Sequence, residues 1–105
     1  MRVQVVRARV PEEDRERYLR AWAEWSGTLL PMGIDAQLLE DEQQRGRFVE
    51  ITWFQDGEEA AAGDDRLTRA AAELEAASEE RSGDLRFYRP RPGTESGSAQ
   101  EPRGT

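Results

Sequence analysis

Four short segments of the chain are rich in β-branched and aromatic residues, and each predicts a β-strand. Strand one covers residues 3–10, strand two residues 34–40, strand three residues 47–55 and strand four residues 85–89. A charged turn that ends near Gly46 separates strands two and three. Apolar residues alternate with polar ones along the first strand, as expected where successive side chains point to opposite faces of a sheet.

Two longer segments place apolar residues at helical spacing. The first predicted helix starts at Pro11, whose missing N–H costs nothing at that position, and ends at Pro31. The second has Asp64 as its N-cap and ends at Ser82. The apolar stripes are Tyr18, Trp22, Trp25 and Leu29 on the first helix, and Leu67, Ala71, Leu74 and Ala77 on the second. The order strand–helix–strand–strand–helix–strand predicts one α+β domain.

The composition changes near the end of the chain. Residues 92–105 are mostly Gly, Ser, Pro and charged residues, with almost no apolar side chains. Such a segment cannot offset its ordering entropy by burial, so it is expected to be disordered. The folded domain is therefore expected to span residues 1–91.

The composition also excludes several classes of site. The 105-residue chain has no Cys and no His, and all 15 of its basic residues are Arg. Disulfides, thiolates, histidine ligands and lysine Schiff bases are thereby excluded, and no metal and no cofactor is predicted. The net charge of −7 disfavours a nucleic-acid partner. With neither a membrane-length apolar run nor a signal-peptide pattern at residues 1–14, a cytoplasmic protein that does not bind membranes is expected.

Strand three predicts self-association. One of its faces carries Val49, Ile51 and Trp53, while the other carries Phe48 and Phe54 together with polar residues. A sheet with one face in water shows a cleaner alternation of apolar and polar residues. Two helices can cover one face only, so the other is expected to pack against the sheet of a second copy across a twofold axis. The alternative is a monomer with a few exposed aromatic residues.

Residues 33–60, GIDAQLLEDEQQRGRFVEITWFQDGEEA, resemble the antibiotic-biosynthesis-monooxygenase-like group of proteins. That group shows a hairpin that ends in a strand, then a Trp, an acidic turn and a second helix. The resemblance extends over about residues 1–90. It implies a ferredoxin-like βαββαβ antiparallel sheet with two helices on one face, paired sheet to sheet as a dimeric α/β barrel.

The same resemblance implies a choice of functions, because the group includes cofactor-independent monooxygenases, haem-degrading enzymes and members without known activity. Its better-studied enzymes share an Asn on strand one, a Trp, and a His on helix two. Those positions correspond here to Arg7, Trp53 and Ala71, so the Asn and the His are absent. Trp53 keeps the strand-three motif, as either the structural or the catalytic Trp of the group.

Glu50 is the candidate catalytic residue. Cofactor-free oxygenation needs a base that deprotonates an electron-rich substrate, and Glu50 lies between Val49 and Ile51 in strand three, where burial favours such a role. The alternative is a structural Glu50 that pairs with an Arg across the dimer interface.

The candidate ligand-binding residues are Tyr18, Trp22, Trp25, Trp53 and Arg7. The four aromatic residues suit the walls of a pocket for a small aromatic compound between helix one and the sheet, with Arg7 as an anion stabiliser. The alternative for the aromatic stripe is ordinary core packing.

Arginines concentrate on two strands that are neighbours in a ferredoxin-like sheet. Strand one carries Arg2, Arg7 and Arg9, and strand four with its flank carries Arg86, Arg89 and Arg91. Arginine forks suit carboxylate or phosphate groups, so one hypothesis is an anion site. The other is pairing with the acidic helices or with the partner subunit.

Two functions follow from the sequence. One is a non-catalytic dimeric α/β barrel that binds a small molecule. The other is a cofactor-independent monooxygenase that acts on an aromatic or polyketide-like compound.

Overall fold

A computed structural model describes residues 2–54 and 63–82 and the backbone of residues 87–88. Strand β1 is Arg2–Arg9, helix α1 is Arg15–Leu29, β2 is Asp35–Glu40, β3 is Arg47–Phe54, helix α2 is Asp65–Ala76, β4 is Glu80–Ser82 and β5 is Phe87–Tyr88. Short 3-10 turns, Glu12–Asp14 and Leu30–Met32, flank α1. The predicted tail, most of predicted strand four, and Arg86, Arg89 and Arg91 lie outside the described residues.

The strands form one antiparallel sheet in the order β2-β3-β1-β4, and β5 also pairs with β1. Strand β4 lies beside Arg7–Arg9 and β5 beside Val3–Gln4, so together they occupy the fourth-strand position along β1. The predicted ferredoxin-like α+β fold is confirmed. No helix within the described ranges is long and apolar enough to cross a membrane.

The prediction that helix two continues to Ser82 is wrong. Helix α2 ends at Ala76, close to the last residue of its apolar stripe, Ala77, which is almost fully buried. The Ser78 hydroxyl donates to the Leu74 carbonyl at 2.6 Å and the Ser78 backbone N–H donates to the Glu75 carbonyl at 3.1 Å, which turns the chain out of the helix. Residues 80–82 then return along β1, although their composition is as suited to a helix as to a strand.

Both helices pack on one face of the sheet, here called the inner face. Its main cluster contains Ala8, Val10, Tyr18, Ala21, Trp22, Phe48, Leu74 and Ala77, and a smaller cluster contains Leu29, Ile34 and Leu67. The Tyr18 and Phe48 ring centroids are 4.7 Å apart. The opposite or outer face carries the alternate residues of each strand, including Val5, Ile51 and Trp53.

The starts of both helices follow from local chemistry. Pro11 precedes the turn that leads into α1, as predicted. Asp64 is the predicted N-cap of α2, and its carboxylate accepts hydrogen bonds from the backbone N–H groups of Arg66 at 2.8 Å and Leu67 at 3.4 Å. These bonds satisfy donors that a helix leaves without partners in its first turn.

Gly46 joins the β2–β3 turn to the end of β1. Its carbonyl accepts from the Val10 N–H at 2.8 Å, and its own N–H donates to Glu40 at 2.9 Å. Glu40 also accepts hydrogen bonds from Nη1 and Nη2 of Arg15, each at 2.7 Å. The hydrogen bonds from Arg15 and then from Gly46 lower the pKa of Glu40 to about 2. This turn therefore fixes β2, β3 and the start of α1 to one another.

Gly46 and Gly27 are expected to respond in opposite directions to substitution by Ala. Gly46 has a φ of 92°, and a Cβ there would lie 2.7 Å from the Val10 carbonyl oxygen. Gly46→Ala should therefore lower the free energy of unfolding by about 1–3 kcal/mol. Gly27 is exposed inside α1 with nothing near its Cβ position, so Gly27→Ala should raise it by about 0.5–1 kcal/mol. Urea unfolding measures both, and an equal effect of the two changes would contradict this account of the turn.

Candidate functional site

Glu50 is at the centre of a buried hydrogen-bond network. It lies mid-way along β3 on the inner face, with only 5% of its surface exposed. Its Oε2 accepts from the Tyr18 hydroxyl at 2.6 Å and from Arg81 Nη1 at 2.9 Å, and its Oε1 accepts from Arg81 Nη2 at 3.0 Å. Three elements, α1, β3 and β4, thus meet at one carboxylate.

Tyr18 is the donor from helix α1 in this network and is fully buried. Burial is the main cause that raises the pKa of its hydroxyl, and the negative charge of Glu50 adds to that effect. Tyr18 therefore stays protonated and keeps donating to Glu50.

Arg81 supplies the positive charge that compensates Glu50. Residue Ala8 of β1 pairs with Arg81 on one side and with Phe48 on the other, so Arg81 is in register with the inner face. The alternative prediction for Glu50 was a structural pair with an Arg of a second copy. The Arg that pairs with it belongs to the same chain. Sequence reasoning missed Arg81 because residues 80–82 were assigned to a helix end.

A cavity of about 270 Å³, here called the inner cavity, lies between the inner face and α2. Its lining residues are Gln4, Val6, Trp25, Glu50, Thr52, Ala71, Leu74, Glu75 and Arg81. The indole N–H of Trp25 donates to the Thr52 hydroxyl at 3.3 Å, which fixes this ring beside the sheet. One wall is thus polar, around the Glu50–Arg81 pair, and the other is apolar.

The structure distributes the predicted site residues over three places. Glu50 and Trp25 line the inner cavity, while Tyr18 and Trp22 pack in the core, the second interpretation of the aromatic stripe. Trp53 cannot share a pocket with them, because Thr52 faces the helices and the next residue of a strand points the opposite way.

Arg7 also lies on the outer face, opposite Val49, and is exposed. The polar residue of β1 that lines the inner cavity is Gln4, which sequence reasoning did not select. Ala71, at the position implied for a His, does line this cavity. Among the described residues, no group of three or more Asp or Glu could hold a metal ion.

Several solved structures share this fold. SnoaB, a cofactor-independent oxygenase from Streptomyces nogalater, has a TM-score of 0.70 at 19% sequence identity, covering 90% of this chain and 97% of its own. An antibiotic biosynthesis monooxygenase has a TM-score of 0.69 at 15% identity, covering 88% of this chain and all of its own. A conserved protein of unknown function from Bacteroides thetaiotaomicron has a TM-score of 0.61 at 25% identity, covering 76% and 92%.

No protein-family model matches the sequence, and no curated protein matches it. The structural similarity nevertheless confirms the predicted resemblance in fold to the antibiotic-biosynthesis-monooxygenase-like proteins.

The Glu50–Arg81 pair is expected to be far more important for stability than a surface pair of the same type. Arg81→Met leaves a buried carboxylate with only Tyr18 as its donor, so the free energy of unfolding should fall by about 3–5 kcal/mol. The double change Glu50→Gln with Arg81→Met removes the uncompensated charge and should recover part of that loss. Urea unfolding of both variants measures the difference.

Arg17→Met is the matched control, because Arg17 forms the same two-bond fork with Glu73 at an exposed position. It should cause a much smaller loss, since exposed ion pairs contribute little to stability. Equal losses for Arg17→Met and Arg81→Met would show that burial does not strengthen the dependence on Arg81.

Proposed function

We propose that this protein is a homodimeric α/β barrel that binds a flat one- or two-ring compound in the inner cavity and does not catalyse oxygenation. The observation that supports this proposal is the inner cavity itself, with Trp25 on one wall and the Glu50–Arg81 pair on another. A concave, largely apolar space with a few convergent polar groups is typical of small-molecule sites.

The volume limits the size of the ligand. The inner cavity measures about 270 Å³, whereas an apolar cavity of roughly 150 Å³ accommodates benzene in another protein. A compound of one or two fused rings therefore fits, and its flat face can stack on Trp25.

Glu50 favours a ligand with a hydroxyl or N–H donor. A carboxylate offers about four acceptor positions, and Tyr18 and Arg81 occupy three of those on Glu50. The fourth is left for a donor on the ligand, and Thr52 offers a second polar contact in the same wall.

The absence of catalysis is inferred from how Glu50 is held. Its carboxylate is engaged by three hydrogen bonds from Tyr18 and Arg81, so both of its oxygens are already held by the protein. In addition, Arg7 and Ala71 occupy the positions where the resemblance implies an Asn and a His. Arg7 lies outside the inner cavity, and the Ala71 methyl group has no polar atom, so neither side chain can do what the Asn or the His would do there.

The alternative function, a cofactor-independent monooxygenase for an aromatic or polyketide-like compound, is supported by a different observation. Glu50, Gln4 and Trp25 line one cavity, which supplies a carboxylate, an amide and an aromatic wall together. SnoaB, which shares the fold, is a cofactor-independent oxygenase.

Binding in the inner cavity is expected to depend on Ala71. The probe is 2-naphthol, a two-ring compound with one hydroxyl, and calorimetry measures its affinity. Ala71→Trp fills the inner cavity and should weaken binding roughly tenfold or more. Ala72→Trp is the control, because Ala72 is exposed, as Ala71 is, but does not line the inner cavity. Equal affinities in the two variants would refute this ligand site.

Oxygen uptake by wild type and by Glu50→Gln, recorded with 2-naphthol or a polycyclic phenol, distinguishes the two functions. The proposal expects wild type and Glu50→Gln to consume oxygen at the same background rate. A rate in wild type well above that of a folded Glu50→Gln variant would establish the monooxygenase instead.

The outer face supports the homodimer. The two central strands carry an apolar strip on this face, formed by Val3, Val5, Ile51 and Trp53. No described helix covers this strip, and a second sheet packed on it would remove its apolar surface from water.

Light scattering is expected to give twice the chain mass of 12.0 kDa. Ile51→Glu places a charge in the strip and should reduce the mass to that of one chain. Leu30→Glu changes an equally apolar residue that is 69% exposed beside α1, so it should leave the mass unchanged. A wild-type protein that scatters as one chain would rule out the homodimer.

A further inference from the structure

A second concave region lies on the outer face, at the end of the sheet where β1 ends and β3 begins. This region, here called the arginine groove, has a volume of about 620 Å³ and includes Arg7, Arg9, Arg47, Leu39 and Val49 in its lining. Arg81 is the one lining residue that it has in common with the inner cavity.

The strand register brings the three arginines together. Arg9 is directly opposite Arg47, and Arg7 is opposite Val49, so Arg7 and Arg47 are diagonal neighbours on adjacent strands. Diagonal neighbours lie roughly 7–8 Å apart, and like charges directly opposite each other destabilise a sheet. A negative group between these side chains would relieve that repulsion.

Arg7 and Arg47 lack counter-charges within the part of the chain that the structure describes, as neither guanidinium group makes a hydrogen bond or an ion pair there. Arg9 differs, because it lies 3.4 Å from Glu79 and 3.8 Å from Glu80. Five other arginines each hold one carboxylate with two hydrogen bonds: Arg15, Arg17, Arg45, Arg66 and Arg81.

The acidic residues in the lining of the arginine groove already have partners. Glu40 accepts from Arg15 and Gly46, and Glu80 is close to Arg9. Asp41 accepts from the backbone N–H groups of Gln43 and Gln44 at 2.7 and 3.2 Å. The two guanidinium groups of Arg7 and Arg47 are therefore available to an external acceptor.

Apolar surface adjoins these charges. Leu39 and Val49 are paired across β2 and β3, on the same face as Arg7 and Arg47. A ligand that satisfies both features carries an anionic head and an apolar body.

We propose that the arginine groove binds a small organic carboxylate, with its head between Arg7 and Arg47 and its body along Leu39 and Val49. Guanidinium forks match the planar geometry of a carboxylate.

The test is a calorimetric titration of the full chain with octanoate, alongside octanol and inorganic phosphate. Octanoate should bind, while octanol, which lacks the charge, and phosphate, which lacks the body, should bind at least about tenfold more weakly. Arg7→Gln with Arg47→Gln should weaken octanoate binding by about tenfold or more. Added salt should weaken it in the wild type, because the charges are exposed.

The control is Arg20→Gln with Arg69→Gln, which changes the net charge equally at two exposed helix positions outside the arginine groove. It should bind octanoate as the wild type does. Equal affinities of the two double variants, no octanoate binding by the wild type, or equal binding of octanol would each overturn the inference.

Two further outcomes separate this inference from the proposed function. Ala71→Trp should leave octanoate binding unchanged, and a loss would show that octanoate enters the inner cavity instead. Light scattering of the Arg7→Gln and Arg47→Gln variant should show an unchanged mass. A monomeric variant together with a wild type that does not bind octanoate would show that these arginines pair with acids of a second copy.

Discussion

The fold depends on a carboxylate that is almost fully buried. Glu50 lies in the middle of the central strand β3, under helix α1, where an ion without partners would cost several kcal/mol. Tyr18 and Arg81 remove that cost, and they come from the helix and the strand on either side. Because both must be in place at once, α1, β3 and β4 have one relative arrangement. The inner cavity lies beside the same carboxylate, so the site and the stability of the domain depend on a shared set of contacts.

The features that could be predicted from the sequence are those decided within a few residues. The Asp64 cap, the helix after Pro11 and the three long strands all follow from local spacing and local hydrogen bonds. The end of α2 could not be predicted this way, because the composition of residues 78–82 suits a helix and a strand equally. The strand is selected by a distant contact, the pairing of Arg81 with Glu50. A glutamate inside an apolar strand indicates that a cationic side chain pairs with it. The sequence pattern does not identify which of the fifteen arginines is that partner.

The aromatic residues illustrate a second limit. Trp25 and Trp53 differ in environment because one contacts Thr52 from a helix, whereas the other follows Thr52 in the strand and points away from it. A count of aromatic residues cannot detect that separation. The register of β3 decides it, and a shift of one residue would exchange the two faces. One sheet thereby presents two unlike surfaces: an enclosed face with a buried ion pair and a face with an apolar strip and exposed arginines.

The short strand β4 has a consequence for how the domain opens. A three-residue strand at the edge of a sheet would ordinarily separate from its neighbour at little cost in free energy. Here its central residue is Arg81, so separation of β4 would remove two of the three hydrogen bonds to Glu50 and leave a buried negative charge without its compensating cation. Fraying of this edge is thereby coupled to exposure of the core beneath α1. The amide hydrogens that bond β4 to β1 are therefore expected to exchange with solvent more slowly than the length of this strand alone would allow.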